Sequence, residues 1–253
     1  MFGRFLELAI GTADILSSVQ FYERLGFEPL STGDAWPHRY GVLSDGRIHL
    51  GLHECALPSP APCFVLPGLE AAQAQLRAAG MTPEHTQFSP DALHHLRLRD
   101  PGANPVMLQE ARTFSPAPPP RGAGSVCGYF LHLSLPQPDF SRSHAFWERG
   151  GFIALPEEDE PYSHLPLTSD RLDLAFHHRR SFDAPLLVFE CADLEAATAR
   201  LAELGVTLSA DRPRGVDGDH SVMLEAPEGT MAPPCAPPAS RTSASTVGLP
   251  RLS

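Results

Sequence analysis

The sequence contains no apolar run that approaches the roughly 18 residues needed to cross a bilayer, and its start lacks the small-residue cleavage site of a secretory signal. We therefore expect a cytoplasmic protein with no membrane partner. Basic residues are scarce: 19 Lys and Arg stand against 30 Asp and Glu, which gives a formal net charge of −11. Because nucleic-acid binding needs a basic surface, nucleic acid is excluded as a partner.

Motifs of several common enzyme classes are also missing. The chain has no Gly-rich phosphate loop, no Gly-x-Ser-x-Gly elbow and no HExxH segment, so nucleotide-dependent transfer and serine hydrolysis are excluded. Its five cysteines form an odd number without a CxxC spacing. This pattern indicates reduced thiols with structural roles.

A tandem duplication is the main feature that the sequence does contain. The segment SSVQFYERLGF at 17–27 recurs as SRSHAFWERGGF at 141–152, and LEAAQAQLRAAG at 69–80 recurs as LEAATARLAELG at 194–205. Corresponding residues in both pairs lie 125 positions apart. A nearly constant offset over so much of the chain predicts two copies of one domain.

The composition places the domain boundaries. A Pro- and Gly-rich stretch, TFSPAPPPRGAGS, predicts a semi-rigid linker at 113–125 between a first domain at 1–112 and a second at 126–233. The remainder, 234–253, is rich in Pro, Ser, Ala and Thr and predicts a disordered tail.

Each domain repeats a smaller plan. The alternating segment FLELAI predicts a strand, and Asp14 is a suitable N-cap for a helix that Gly26 ends. Further alternating segments predict three more strands before the pattern begins again near Ala61. The order βαβββ, twice per domain, predicts an α+β fold with mixed sheets.

With these residues in place, the sequence resembles the vicinal oxygen chelate superfamily, which includes glyoxalase I, bleomycin-resistance proteins and extradiol dioxygenases. The resemblance implies two tandem glyoxalase-like domains, each a pair of βαβββ units that form an open half-barrel sheet with the site on its concave face. It covers 4–110 and about 128–233, and is carried by Asp14, Ser18, Phe21, Tyr22, Leu25, Gly26, Phe27, Asp100 and Pro101.

The resemblance also implies metal-ligand positions: Glu7 and His49 in the first domain, His132 and Asp173 in the second. The ion would be a divalent metal (Zn, Fe, Mn or Ni), and Glu7 and His132 are the candidate catalytic groups. One imidazole and one carboxylate per domain suit such an ion, but they also suit a metal-free hydrogen-bonded or ion pair. The remaining ligand positions of the superfamily fall on residues that cannot bind a metal through their side chains, near Ala61, Met107, Leu186 and Pro233.

Further histidines are candidates for the substrate pocket. His53 and His177 follow the fourth-strand ligand positions by four residues, about 13 Å along a strand, so we expect them at the pocket mouth or at solvated strand ends and not at the same ion. His94 and His220 each open a strand that faces the cavity in the superfamily, where a histidine can act as a base or be merely exposed. His95 is expected to point outward.

Two functions follow from this sequence. The first is a divalent-metal-assisted enzyme, a lyase or a dioxygenase, that acts on a small oxygen-rich organic molecule. The second is a metal-free protein that binds a drug or a metabolite, as bleomycin-resistance proteins do. Because the duplication supplies both halves of a paired site, we expect a monomer with an internal pseudo-twofold axis.

Overall fold

The computed structural model describes residues 1–33, 36–111, 124–160, 162–210, 214 and 221–236. Most of the expected linker at 113–125, most of the expected tail and His220 lie outside these residues. The first domain consists of β1 (Arg4–Gly11), α1 (Ile15–Arg24), β2 (Glu28–Leu30), β3 (Tyr40–Ser44), β4 (His49–His53), β5 (Ala61–Leu66), α2 (Leu69–Ala78), β6 (His85–Gln87), β7 (His95–Arg99) and β8 (Pro105–Glu110).

The second domain repeats this order. Its elements are β9 (Tyr129–Gln137), α3 (Phe140–Gly150), β10 (Ile153–Ala154), β11 (His164–Thr168), β12 (Leu174–His178), β13 (Leu186–Glu190), α4 (Leu194–Glu203), β14 (Leu208–Ser209), β15 (Met223–Glu225), β16 (Met231–Ala232) and β17 (Pro234–Cys235). In the described part of the chain no helix is long and apolar enough to cross a membrane.

Each domain is one mixed sheet made of two βαβββ units, which confirms the predicted fold class. The strand order is β2-β3-β4-β1-β5-β8-β7-β6 in the first sheet and β10-β11-β12-β9-β13-β16-β15-β14 in the second. In each sheet the two unit-opening strands, β1 with β5 and β9 with β13, pair antiparallel at the centre. The closing strands β4 and β8 pair parallel to the opening strands of their own units.

Helix α1 forms where the sequence predicts it. The Asp14 side chain accepts hydrogen bonds from the backbone N–H groups of Leu16 and Ser17, which have no partner within the first turn of the helix. Gly26 lies beyond the last turn at φ +94°, a conformation that favours glycine. The buried face of α1 carries Ile15, Phe21 and Tyr22 and packs on the sheet.

One face of each sheet is covered by helices, and these two covered faces share one hydrophobic core. Phe2 begins the first domain but packs against Trp147 of α3, with ring centroids 5.8 Å apart. Phe27 contacts Phe189 of the second domain in the same way at 6.5 Å. The opposite face of each sheet, here called the open face, carries its own smaller apolar cluster.

Two reciprocal carboxylate contacts join the domains. Asp100, in the turn between β7 and β8, accepts hydrogen bonds from Gln137 and from the Trp147 indole N–H of the second domain, the latter at 3.1 Å. Glu228, in the turn between β15 and β16, accepts from Ser18 at 2.7 Å and Tyr22 at 2.6 Å in the first domain. The donors are related by the duplication, because Trp147 corresponds to Tyr22, whereas the two carboxylates stand at different positions of the corresponding turns.

The second sheet extends beyond the boundary that composition indicated. Pro234 and Cys235 form β17, which pairs with β13 and is buried. The side chain of Cys235 belongs to the open-face cluster of the second domain. The tail therefore cannot begin at 234; the composition of this segment concealed a short strand because prolines surround it.

Candidate ligand-binding site on the open faces

The open face of the first sheet brings Glu7 together with two aromatic partners. The Tyr40 hydroxyl donates to Glu7 Oε2 at 2.6 Å, and His53 Nε2 lies 3.6 Å from Glu7 Oε1. Both Glu7 and His53 are almost fully buried. Burial and the neighbouring Glu7 carboxylate raise the pKa of the Tyr40 phenol well above its usual range, which keeps Tyr40 a hydrogen-bond donor.

Gly51 explains why Glu7 reaches His53. A Cβ added at Gly51 would lie 2.3 Å from the Glu7 carboxyl group, so only glycine leaves room for the carboxylate there. The Glu7 side chain therefore crosses Gly51 toward His53. His49, its expected partner, instead bonds through Nδ1 to Ser44 Oγ at 2.9 Å. His53 was expected at the pocket mouth or at a solvated strand end; in the structure it is buried and lies beside Glu7.

From His53 the polar contacts continue to the protein surface. His53 Nδ1 lies 3.0 Å from His38 Nε2, and the Cys55 thiol lies 3.7 Å from the same His38 nitrogen. Burial lowers the pKa of His38, which favours its neutral form. The contacts thus lead from the buried carboxylate to a half-exposed imidazole.

A cavity of about 510 Å³ lies on this open face. Trp36 forms a flat wall, with its ring centroid 5.2 Å from that of His95 and 5.4 Å from that of His38. Met107 closes the apolar side, and Arg97 contributes a guanidinium group to the lining. The volume is in the range of small-molecule sites, about 300–1,000 Å³.

His94, just before β7, and His95, its first residue, exchange the roles that the sequence indicated. Leu96 and Leu98 are buried in the main core, so His95 and Arg97 alternate onto the open face and line the cavity. His94 precedes the strand and bonds Glu110 at 2.8 Å instead of lining the cavity. The interpretation of His95 as outward-pointing was therefore wrong, because it placed His94 on the wrong face of the sheet.

The open face of the second sheet holds a smaller cavity of about 150 Å³. His132 and Asp173 both line it, together with His164. His132 Nε2 lies 3.4 Å from the Tyr162 hydroxyl, and Asp173 accepts from Thr168 at 2.7 Å. The cavity is small because large apolar side chains occupy this face, among them Leu186, Val188 and Met231.

His177 corresponds to His53, but its hydrogen-bond partners are a hydroxyl group and a carbonyl oxygen. Its Nδ1 lies 2.8 Å from Ser134 Oγ, and its Nε2 lies 2.9 Å from the Phe182 carbonyl oxygen. Ser134 stands where the first domain has Ala9, as the strand pairing shows. Burial lowers the pKa of His177 to about 4. His177 is thus a buried, neutral histidine that does not line the second cavity.

No protein-family model matches this sequence, and no curated protein matches it. Solved structures do match. They include a catechol 2,3-dioxygenase (TM-score 0.55, 16% identity, 92% of each chain) and the 2,3-dioxygenase LapB of Pseudomonas sp. KL28 (0.61, 17%, 92% of each chain). Another is homoprotocatechuate 2,3-dioxygenase of Arthrobacter globiformis (0.62, 16%, 93% of this chain and 80% of that one).

The chain has the two-domain fold of the extradiol catechol dioxygenases. At 16–17% identity this likeness concerns the fold alone. Within the extradiol-type fold, the apolar side chains at the other expected ligand positions remain apolar and buried: Ala61, Met107, Leu186 and Pro233.

The residues that the structure describes do not form a site for a divalent metal. Across the described ranges, no three His, Cys, Asp or Glu side chains are grouped so that they could hold an ion. In the first domain the expected pair is separated, since Glu7 contacts Tyr40 and His53 while His49 contacts Ser44. In the second domain, His132 and Asp173 share a cavity, yet each bonds a hydroxyl group. Among the described residues, these polar pairs therefore do not belong to a set of metal ligands.

Proposed function

We propose that this protein binds a small organic molecule in the cavity of the first domain, without a metal ion. The observation that carries the proposal is the cavity of about 510 Å³ on the open face, walled by Trp36. This is the function of the bleomycin-resistance type that the sequence left open.

The chemistry of the cavity supports a binding role. Trp36 and Met107 provide apolar surface, while His38 and His95 provide imidazole nitrogens at the rim of the same space. Burial lowers the pKa of both imidazoles, which favours their neutral forms. His38 Nε2 already bonds His53, and His95 Nδ1 bonds the Leu93 carbonyl oxygen, so each imidazole has one ring nitrogen left for a ligand. An apolar wall with a few placed polar groups is the usual composition of a small-molecule site.

The binding proposal predicts metal-independent affinity. We expect 2-naphthoate and its neutral amide, 2-naphthamide, each to raise the melting temperature of the protein. For each compound the increase should be the same in EDTA as with added Zn²⁺ or Mn²⁺. Trp36→Ala should weaken the binding of both compounds about tenfold, since loss of an aromatic contact costs about 1–1.5 kcal/mol. Titration calorimetry measures this.

Tyr129→Ala is the matched control, because Tyr129 is an exposed aromatic side chain outside the cavity. It should leave the affinity for both naphthalene compounds unchanged. Binding that disappears with EDTA, or that Trp36→Ala leaves intact, would contradict the proposal.

A metal-assisted enzyme in the second domain is the other candidate function. One observation favours it: His132 and Asp173 line the same cavity, as the superfamily resemblance implies. Elemental analysis of the purified protein separates the two functions. We expect substoichiometric metal that His132→Ala does not change. Stoichiometric Zn, Fe, Mn or Ni that is lost in His132→Ala would instead support the metal-assisted enzyme.

A further inference from the structure

We propose that the ligand of the first-domain cavity is a planar organic anion, an aromatic or conjugated ring that carries a carboxylate. The inference rests on the proposed binding function and adds the chemical class of the ligand. Three features of the cavity wall formed by β7 and β8 support it: unsatisfied donors, an excess of positive charge and flat ring surfaces.

The first feature is a pair of buried donors without a strong acceptor. Arg97 Nε and Gln109 Nε2 are buried nitrogen atoms with no oxygen or nitrogen acceptor among the described residues, and the Gln109 amide reaches only the Cys63 thiol. A guanidinium nitrogen and an amide nitrogen can only donate. Leaving such a group unsatisfied costs about 1–3 kcal/mol. A ligand that brings acceptor oxygens would remove this cost.

The two donors lie on neighbouring strands. In the pairing of β7 with β8, Arg97 is opposite Met107 and His95 is opposite Gln109. Gln109 therefore follows Met107, a cavity-lining residue, by one strand repeat on the same face. Its neighbour Cys63 carries a thiol, which is a weak acceptor. A small anionic group bound in the cavity can therefore face Arg97, while Gln109 lies just beyond the lining residues of the same wall.

The charge of this wall favours an anion over a neutral acceptor. Arg97 and Arg99 share a single carboxylate: Glu84 lies 2.6 Å from Arg99 Nε but 3.9 Å from Arg97 Nε. Two guanidinium groups beside one carboxylate leave one positive charge uncompensated within this group. Of the other lining residues only Asp91 is acidic, and it is exposed at the rim. A carboxylate matches the geometry of a guanidinium group.

Ring surfaces around the donors favour a planar ligand body. The Trp36 ring is 5.2 Å from that of His95, and the His95 ring is 5.3 Å from that of His85 at an angle of 31°. All three rings line the cavity. Aromatic surfaces at these separations pack best against another flat ring. The cavity thus offers flat ring surfaces beside the wall that carries Arg97.

Calorimetric titration with three probes tests the proposal: 2-naphthoate, its neutral isostere 2-naphthamide, and the non-planar decahydro-2-naphthoate. For the wild-type protein we expect 2-naphthoate to bind at least about tenfold more tightly than either of the others. Arg97→Gln should weaken 2-naphthoate about 10–100-fold, because hydrogen bonds to a charged group contribute about 1.5–3 kcal/mol. The same variant should bind 2-naphthamide with an affinity within about twofold of the wild-type value.

Arg77→Gln is the charge-matched control, since Arg77 is an exposed side chain on α2, away from the cavity. It should change no affinity. If 2-naphthamide binds as tightly as 2-naphthoate and Trp36→Ala weakens both, the anion inference is overturned while the binding function stands. If none of the probes binds at millimolar concentration, or if Trp36→Ala changes nothing, the binding function itself is overturned.

Discussion

Replacing Asp100 with alanine is expected to lower the free energy of unfolding by about 3 kcal/mol. Asp100 is buried and accepts hydrogen bonds from Asn104, Gln137 and Trp147. Its loss leaves these donors buried without an acceptor, at about 1–3 kcal/mol each. Burial also raises the pKa of Asp100, so removing a desolvated carboxylate offsets part of the cost. For a chain of this length the melting temperature should fall by about 6–12 °C.

Glu228→Ala provides the matched comparison at the related interdomain contact. Glu228 is half-exposed and accepts from two hydroxyl groups, those of Ser18 and Tyr22. Water can replace it in part, so we expect a loss of about 1 kcal/mol. Denaturant unfolding followed by far-UV circular dichroism measures both variants. Equal losses, or a larger loss for Glu228→Ala, would show that burial does not control the strength of these contacts.

Acidification should destabilise the protein by about 3 kcal/mol through His177 alone, between pH about 6.5 and about 4. Burial lowers its pKa in the folded state to about 4 from the ordinary 6.5. Above pH 6.5 both states are neutral and this group has no effect. As the pH falls from 6.5, the unfolded chain binds a proton that the folded chain does not accept until about pH 4. Stability is therefore lost across this window.

The charged neighbours of His177 are His164, His178 and Asp183. His177→Gln should remove the pH-dependent component, so that the difference in unfolding free energy between variant and wild type changes by about 3 kcal/mol across the window. His144→Gln, on α3, is the control and should follow the wild-type profile. Parallel profiles for wild type and His177→Gln would contradict the assignment.

The fold could be predicted from the sequence to a large extent because the duplication shows the same residue pattern twice. Asp14 and Gly26 mark the ends of α1, and their counterparts recur in the second domain as Asp139 and Gly151. Local capping and hydrophobic alternation determine these elements. The strand at Pro234 and Cys235 was missed because its partners are supplied by distant segments: β13 and Ser221.

The site was predictable only in part. Alternation placed Glu7 and His132 on the open faces, but it could not show which neighbour each side chain contacts. That choice depends on the space at Gly51 and on Tyr40, which is 33 residues from Glu7. Trp36 and Arg97 were not considered, although the alternation of Leu96 and Leu98 could have assigned Arg97 to the cavity. Trp36 gave no such signal, because it lies outside any strand.

The exchange of carboxylates between domains has a consequence for how the duplicated halves recognise each other. Asp100 accepts from an indole and an amide, whereas Glu228 accepts from a phenol and an aliphatic hydroxyl. If two copies of the first half paired with one another, Asp100 would meet Tyr22 in place of Trp147. A carboxylate accepts from a phenol as it does from an indole, so such a pair could also form this contact. Fusion into one chain favours the pairing within one molecule, because it holds the two halves at high effective concentration.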